Sequence, residues 1–417
     1  MTRFAFATWD GGGNIPPAIG IAQELVSRGH EVAFIGYEVQ RQSFEAKGYS
    51  FSVLPRSGPF DIYRTTVPAE RMAGLLANVW ASPEHLEDIP DAVAATSADV
   101  LIVDFSLQGA LASMAQLAVP AAVLAHSVIA GLVPPPETPV GEARLNATNR
   151  LREGAGLPAL ARLNDAWAER LTLVTTIPEL DPAAAGADRS MCYVGPVFEG
   201  FPDEPWDPPW DQDDDRKMVL VSFSTTKLWD QSGRIRNTLE ALADEPVRVL
   251  VSASQVIELA SVPGNAAIRR FVPHARVLPS VAATVTHAGH GTVSASLAYG
   301  VPVVALPNPA ADQPFLAARL QKLGAGIALD GEAQPDAIRA AVNEVMRQPS
   351  YAAAAGGLAD AIRSARGAAG AADELERLAA IRPGQGQHRV PVQALGAGEL
   401  LIQARAPSEE PGRSLPD

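Results

Sequence analysis

The chain has one cysteine, Cys192, among its 417 residues. That excludes an internal disulfide framework and fits a reducing compartment, and Cys192 reads as a small buried or half-buried side chain without a chemical role. Positive charge is scarce. Thirty-three Lys and Arg against 47 Asp and Glu leave a net charge of −14, which argues against nucleic acid or an anionic membrane as a partner but still permits a local basic pocket. No apolar run is long enough to span a bilayer: the longest, Val119 to Val133, is interrupted by Pro120, His126 and Ser127. The first residues run straight into a strand, Arg3 to Thr8, so no signal peptide is expected. The expectation is a cytoplasmic protein with no stable membrane insertion.

What is present is ample apolar material, 47% of residues, in alternating short runs. Phe4 to Thr8, Glu31 to Ile35, Val100 to Val103 and Ala121 to Leu124 read as strands. Ile15 to Ser27, Val39 to Lys47 and Gln108 to Leu117 have helical spacing between them. Proline and acid dominate 201–216, which marks an interdomain linker. The rhythm restarts at Met218 to Phe223 and repeats through Val247 to Val251, Ile268 to Phe271, Val281 to Thr286 and Val301 to Leu306. This pattern predicts an α/β protein with two doubly wound parallel-sheet domains facing across a cleft. The expected divisions are 1–200, the linker 201–216, 217–381, and a disordered tail 382–417 in which Leu395 to Ile402 is weighed as a docking strand. The alanine-rich stretch from Ala352 to Leu378 reads as helical.

The run His287-Ala-Gly-His-Gly-Thr292, with Gly300-Val-Pro302 and Asp312-Gln-Pro314 after it, carries the most chemistry. A strand feeding a glycine turn into a helix from about Thr292 to Tyr299 makes an anion site, since the free amides and the helix dipole both favour phosphate. Loops at the carboxyl ends of strands in an open α/β sheet converge on one crevice, so Asp312 and Gln313 join that site as partners for hydroxyl groups. A phosphate cradle beside a hydroxyl-binding pair suggests a sugar nucleotide. For Asp312 a helix N-cap is the bland alternative.

The run Phe271-Val-Pro-His274, Leu278, His287-x-Gly289, Gly291-Thr292, Gly300-Val-Pro302, Pro307 and Asp312-Gln313 resembles the donor-binding signature of the UDP-glycosyltransferase superfamily of plants and bacteria. Gly11-Gly-Gly13-Asn14-Ile-Pro-Pro17, Arg28-Gly-His30 and Tyr193-Val-Gly-Pro196 resemble its first domain, so the likeness covers roughly residues 1–380. It implies the GT-B fold and a metal-independent, inverting transfer of a hexose or deoxyhexose from a nucleoside diphosphate (UDP or dTDP), with the sugar nucleotide as co-substrate and no cofactor. It further implies His287, Gly289, His290, Gly291 and Thr292 at the diphosphate, Ser224 and Thr225 near the β-phosphate, and Phe271 with the Val272 backbone at the base. For Phe271 a place in the core is the competing reading.

Two departures stand out. Where the family often carries a Glu for the ribose hydroxyls, three residues after Thr292, this chain has Ala295, which leans towards a dTDP sugar. Where the family has a His as general base in the first loop, the chain has Asn14, and an amide is no base at neutral pH. Asp104, the family's partner to that His, is then the first candidate base, Asp10 the second and His126 the third; an acidic acceptor that needs no protein base also remains open, with Asn14 orienting it. Gly12, Gly13 and Trp80 are assigned to acceptor binding. Segments 59–80 and 128–148 look poorly patterned, and Phe60, Tyr63, Met72, Leu75, Leu76 and Trp80 with Val133 to Pro136 imply a roomy apolar pocket for a hydrophobic small molecule, such as a secondary-metabolite aglycone. A sugar-nucleotide epimerase or hydrolase, or a non-catalytic binding protein, are the rival readings. A homodimer is left open.

Overall fold

The structure, a computed structural model, describes residues 1–381 except 59, 63, 65–67, 168–169, 201–205, 212, 225–229, 254–260 and 310–311. The first sheet holds seven strands: β1 (Arg3–Ala7), β2 (Glu31–Gly36), β3 (Ser50–Val53), β4 (Val100–Asp104), β5 (Ala121–Ala125), β6 (Thr172–Val174) and β7 (Met191–Tyr193). The second holds six: β8 (Lys217–Ser222), β9 (Val247–Ser252), β10 (Ala266–Arg269), β11 (Val281–Thr286), β12 (Val303–Ala305) and β13 (Gly326–Ala328). Their orders are β3-β2-β1-β4-β5-β6-β7 and β10-β9-β8-β11-β12-β13, and every pairing is parallel. Strands such as Val-Leu-Ile-Val-Asp104 and Ala-Ala-Val-Leu-Ala125 are buried along their whole length, as a sheet covered on both faces requires.

In each sheet the chain reverses its direction of winding once, between β1 and β4 and between β8 and β11. Ligands of open α/β sheets collect at the carboxyl ends of strands beside such a reversal. The four loops that leave these strands begin at Thr8, Phe105, Phe223 and His287, and among the described residues they hold Asp10, Gly12, Gly13, Asn14, Ser224, His287 and Gly289 of the sequence-assigned site.

Several expectations shift. The stretches 59–80 and 128–148 are not irregular throughout: helices span Pro68–Leu75 and Pro139–Gly154, and a wide π-turn spans Leu76–Trp80. The expected helix from Ala352 is two, Pro349–Ser364 and Gly367–Ala379, broken where Gly367 takes φ +53°. The second of these leaves the second sheet altogether. Ala371, Ala372, Leu375 and Leu378 are buried in the core that Phe4, Ile19, Ile21 and Leu25 form under the first sheet. Arg28 clamps the same helix through Asp373 (2.7 Å) and Glu376 (2.9 Å). The last helix therefore belongs to the first core although it follows the second in sequence. The tail, with the weighed strand at 395–402, lies outside the described residues.

The two halves also meet across the cleft. Val128, Ile177 and Leu180 of the first share a buried cluster with Val293, Leu297 and Leu316 of the second, and Arg319 donates to the Glu179 carbonyl at 2.6 Å. Among the described residues no helix is long and apolar enough to cross a membrane. Cys192 is half-buried and its thiol is pushed up to about 12, chiefly by burial, so it stays protonated.

Candidate active site

On the second sheet, β11 ends at Thr286 and the helix His290–Ala298 begins four residues later, with Gly289 at its N-cap and no side-chain cap. Its first amides, at His290, Gly291 and Thr292, thus keep the positive end of the helix free of a capping oxygen. Ala288 links strand to helix with φ +61° and is fully buried. A left-handed alanine costs on the order of 1–2 kcal/mol, and the packing around it holds that conformation. The next residue must be glycine because a Cβ at Gly289 would overlap His287 Nε2. The imidazole therefore lies over the loop itself. Burial pushes His287 down to about 4, with Arg234 adding to the effect and a bond to the Ser222 backbone opposing it. His287 is neutral at physiological pH and can donate a single N–H.

His290 sits at the first helical position, its Nε2 3.2 Å from Ser294 Oγ. Burial, with the His126 ring next in weight, holds it below the usual imidazole range, so His126 of the first domain faces this helix start. Phe271 is 49% exposed, which removes the reading of it as core. Val272 is buried beside Leu278 and Ala295. Ser224 follows β8 in the neighbouring loop, and Thr225 lies outside the described residues.

Asp312 stands at the N-cap of the helix Gln313–Lys322, yet its side chain caps nothing. It accepts a bond from Ser127 Oγ across the cleft instead. Burial pushes its carboxyl above the usual range, against the pull of the Ser127 hydroxyl and His126. Gln313 Oε1 accepts from Asn308 N at 3.2 Å, leaving its amide nitrogen as a donor.

On the first sheet, Asn14 is almost fully buried. Its Nδ2 donates to Trp9 O (2.9 Å), Asp104 Oδ2 (3.0 Å) and Thr8 Oγ1 (3.2 Å), and its Oδ1 accepts from Gly11 N at 3.1 Å. Every polar atom of this amide is spent inside the loop, where Gly12 takes φ +79° and Gly13 is exposed. The reading of Asn14 as a group that orients the acceptor therefore gives way to one in which it orients Asp104. The Asp104 carboxylate is buried, with Oδ1 accepting both the amide (2.9 Å) and the hydroxyl of Ser106. Trp9 Nε1 in turn donates to Ser106 Oγ at 2.7 Å. His126 Nδ1 lies 3.7 Å from Asp104 Oδ2. Asp10 is apart from this network, and burial with the nearby Asp61 raises its carboxyl.

Trp80 ends the π-turn and packs on the first core, with the Arg144 guanidinium 4.5 Å above its ring. Arg144 was not anticipated from sequence. It is buried and held down to about 10 by that burial, with Asp104 opposing the shift. Beside it a cavity of about 350 Å³ is lined by Ile129, Val133, Pro134, Gly141, Leu145 and Leu163 among others. Val133 to Pro136 therefore line a cavity as expected, whereas Leu75 lies in the core and Tyr63 is outside the described residues.

Residues 236–378 match the family model described as the C-terminal domain of erythromycin biosynthesis protein CIII-like proteins. Over 419 residues the chain is 27% identical to 4'-demethylrebeccamycin synthase of Lentzea aerocolonigenes, covering 90% of this chain and 99% of that protein. It is 32% identical over 185 residues to the 3-alpha-mycarosylerythronolide B desosaminyl transferase of Saccharopolyspora erythraea, covering 43% of this chain and 44% of the relative. The crystal structure of the glycosyltransferase of kitacinnamycin superposes with a TM-score of 0.74 at 24% identity, covering 90% of this chain and 99% of that one. Two parallel sheets with this topology, an uncapped helix start behind His287 and these likenesses agree: the chain has the GT-B fold, carries the CIII-like C-terminal domain over residues 236–378, and is a glycosyltransferase of the antibiotic-biosynthesis type.

Proposed function

We propose that the protein transfers a hexose or deoxyhexose, with inversion, from a nucleoside diphosphate to a hydrophobic small molecule bound in the first domain. The observation that carries this reading is the uncapped helix start at Gly289 with the His287 ring folded over it. Departure of the diphosphate builds negative charge, and preorganised amides aimed at that charge lower the barrier without reorganising. The amides of His290, Gly291 and Thr292, the Thr292 hydroxyl and the neutral His287 supply such donors, so the leaving group needs no metal ion. Asp312 and Gln313 take the sugar hydroxyls, and binding of the sugar exchanges the Ser127–Asp312 bond for one to the donor. The half-exposed Phe271 ring stacks on the base, worth on the order of 1 kcal/mol beyond its burial. The cavity between Ile129 and Leu163 receives the apolar part of the acceptor.

Ala295 favours a dTDP sugar over a UDP sugar. It packs among Val272, Leu278 and Val301, and no carboxylate stands there to hold a ribose 2′-hydroxyl. The test is calorimetric binding of dTDP and UDP to the full chain and to Ala295→Glu. The reading expects dTDP to bind more tightly and the Glu variant to gain affinity for UDP. Binding of neither nucleotide would sink the donor-site assignment.

A further inference from the structure

The first loop has no imidazole, and Asp104 is too fully occupied to take a proton from an acceptor. One of its oxygens holds both donors of Ser106, and the other holds Asn14 Nδ2. The one basic side chain recorded within 4 Å of that carboxylate, among the described residues, is His126, which leaves the end of β5, the strand next to β4. Its Nδ1 is buried and has no hydrogen-bond partner other than the nearby carboxylate to turn to, while 17% of the side chain remains exposed. The exposed part of the side chain therefore lies away from Nδ1. The next residue, Ser127, bonds to Asp312, and His126 influences both Asp312 and His290. His126 thus stands at the seam where acceptor loops meet donor loops, which is where a base must stand.

We propose that His126 is the general base and that Asp104 is its positioning residue, an Asp–His dyad assembled from the ends of β4 and β5 instead of from the first loop. This rests on the glycosyl-transfer reading above. Asn14 holds the place of the absent imidazole and, by donating to Asp104 Oδ2, fixes the carboxylate for its other partner. In the transfer step His126 Nε2 takes the proton of the acceptor O–H as the oxygen forms its bond to sugar C1. The electron pair of the C1–O bond leaves with the diphosphate, and the imidazolium then returns its proton to water. The titratable groups near the ring are Asp104 from β4 and Asp312 from the opposite domain; His290 faces it as a neutral imidazole, and Arg144 acts on Asp104 through its charge.

The first experiment needs no turnover. Nitrogen chemical shifts of ¹⁵N-labelled imidazoles in the full-length protein, assigned with His126→Gln, report which ring nitrogen carries the proton. The dyad requires Nδ1–H with Nε2 unprotonated, and Asp104→Asn should mix the two tautomers. An Nε2–H ring in the wild-type protein would overturn the proposal. The second compares transfer to 2-naphthol and to 2-naphthylmethanol from a dTDP sugar, alongside dTDP affinity. For His126→Gln, kcat should fall by at least ~100-fold, less on the phenol than on the alcohol, with dTDP affinity within 3-fold and the acid limb of the kcat–pH profile gone. Introducing Asn14→His into that variant should restore part of the rate by rebuilding a dyad on the same Asp104. Loss of dTDP affinity in His126→Gln would make His126 a structural residue of the seam. Retained activity there, with the loss and the missing limb found in Asp10→Asn, would move the base to Asp10. Failure of the wild-type protein to bind dTDP would instead count against the transfer reading itself.

Discussion

The two domains carry the same device, a strand that turns through glycine into a helix, and use it for opposite ends. In the first, the helix Ile15–Ser27 has prolines at its second and third positions, which bring no N–H, and Ile15 N is already bonded to Gly12 O. Asn14 Oδ1 takes the Gly11 amide as well. The positive helix end is closed from within, and the loop serves to lock Asp104. In the second, Gly289 leaves the helix start uncapped, and the residues that follow are a histidine, a glycine and a threonine. Identical topology thus gives an anion site in one half and a carboxylate clamp in the other. The difference lies in which residues still have amides to offer.

The contrast breaks most directly if the second loop is written like the first. Gly291→Pro with Thr292→Pro removes two amides at the positions where Pro16 and Pro17 stand in the first helix. Proline is tolerated in a first turn, so Tm should move little. Charge-assisted bonds are worth about 1.5–3 kcal/mol each, and nucleotide affinity should fall at least ~100-fold by calorimetry. Unchanged affinity would end the anion-site reading. The converse, Pro16→Ala with Pro17→Ala, should gain no nucleotide binding.

Breaking the clamp should cost folding instead of binding. Asn14→Ala strands the partners of a buried amide and should lower stability by about 2–4 kcal/mol in urea titrations, with nucleotide affinity in the surviving folded fraction unchanged.

Acid separates the loops next. Only the second is built on a histidine held down to about 4 by burial. Below pH ~6.5 the unfolded chain takes up that proton and the folded one does not. Stability is therefore present above that pH and is lost as pH falls towards 4, by up to about 2 kcal/mol at pH 5. The pH dependence of Tm should be shallower in His287→Gln, and an unchanged slope would show His287 to be charged in the fold.

The smallest effects concern the left-handed residue of each loop, Gly12 at φ +79° and Ala288 at φ +61°. Gly12→Ala should cost about 1–2 kcal/mol. Ala288→Gly should change stability by less than about 1 kcal/mol, because relief of strain offsets the loss of a buried methyl. A large loss at Ala288 would mean that its packing, and not its backbone, sets the loop.

Much of this was legible beforehand because it is local. Ile15 to Ser27 and Val281 to Thr286 announce their own ends through periodicity and flanking glycines, and both appear with those bounds. A glycine turn into a helix start could be read from Gly289, Gly291 and Thr292 alone, although the helix begins at His290, two residues before the expected Thr292. What escaped depends on partners distant in sequence. Nothing near Asp312 says that Ser127, 185 residues away, will bond it. Likewise nothing near Arg144 says that Trp80 and Asp104 will surround it. The helix Pro139–Gly154 did carry a local signal in Thr138 and Pro139, since Thr138 Oγ1 accepts from Gly141 N at 3.1 Å. The proline-rich approach to it masked that start. The short strands β6, β7 and β13 have three residues each, too few to show a period.

The return of the last helix to the first core has a mechanical meaning. The chain passes from the first half to the second after Pro196 and comes back at Ala365, and these two passages touch. Gly367 N donates to Val194 O at 2.6 Å, and Gly195, at φ +90°, has no room for a Cβ beside Ala365. Two backbones fastened side by side make a pivot: the halves can swing about it far more readily than they can slide past each other. The same pairing makes the molecule tolerant of a cut. A protein nicked between Trp206 and Arg216 should still migrate as one particle, its carboxyl-terminal fragment held by a helix that reaches back to the amino-terminal one.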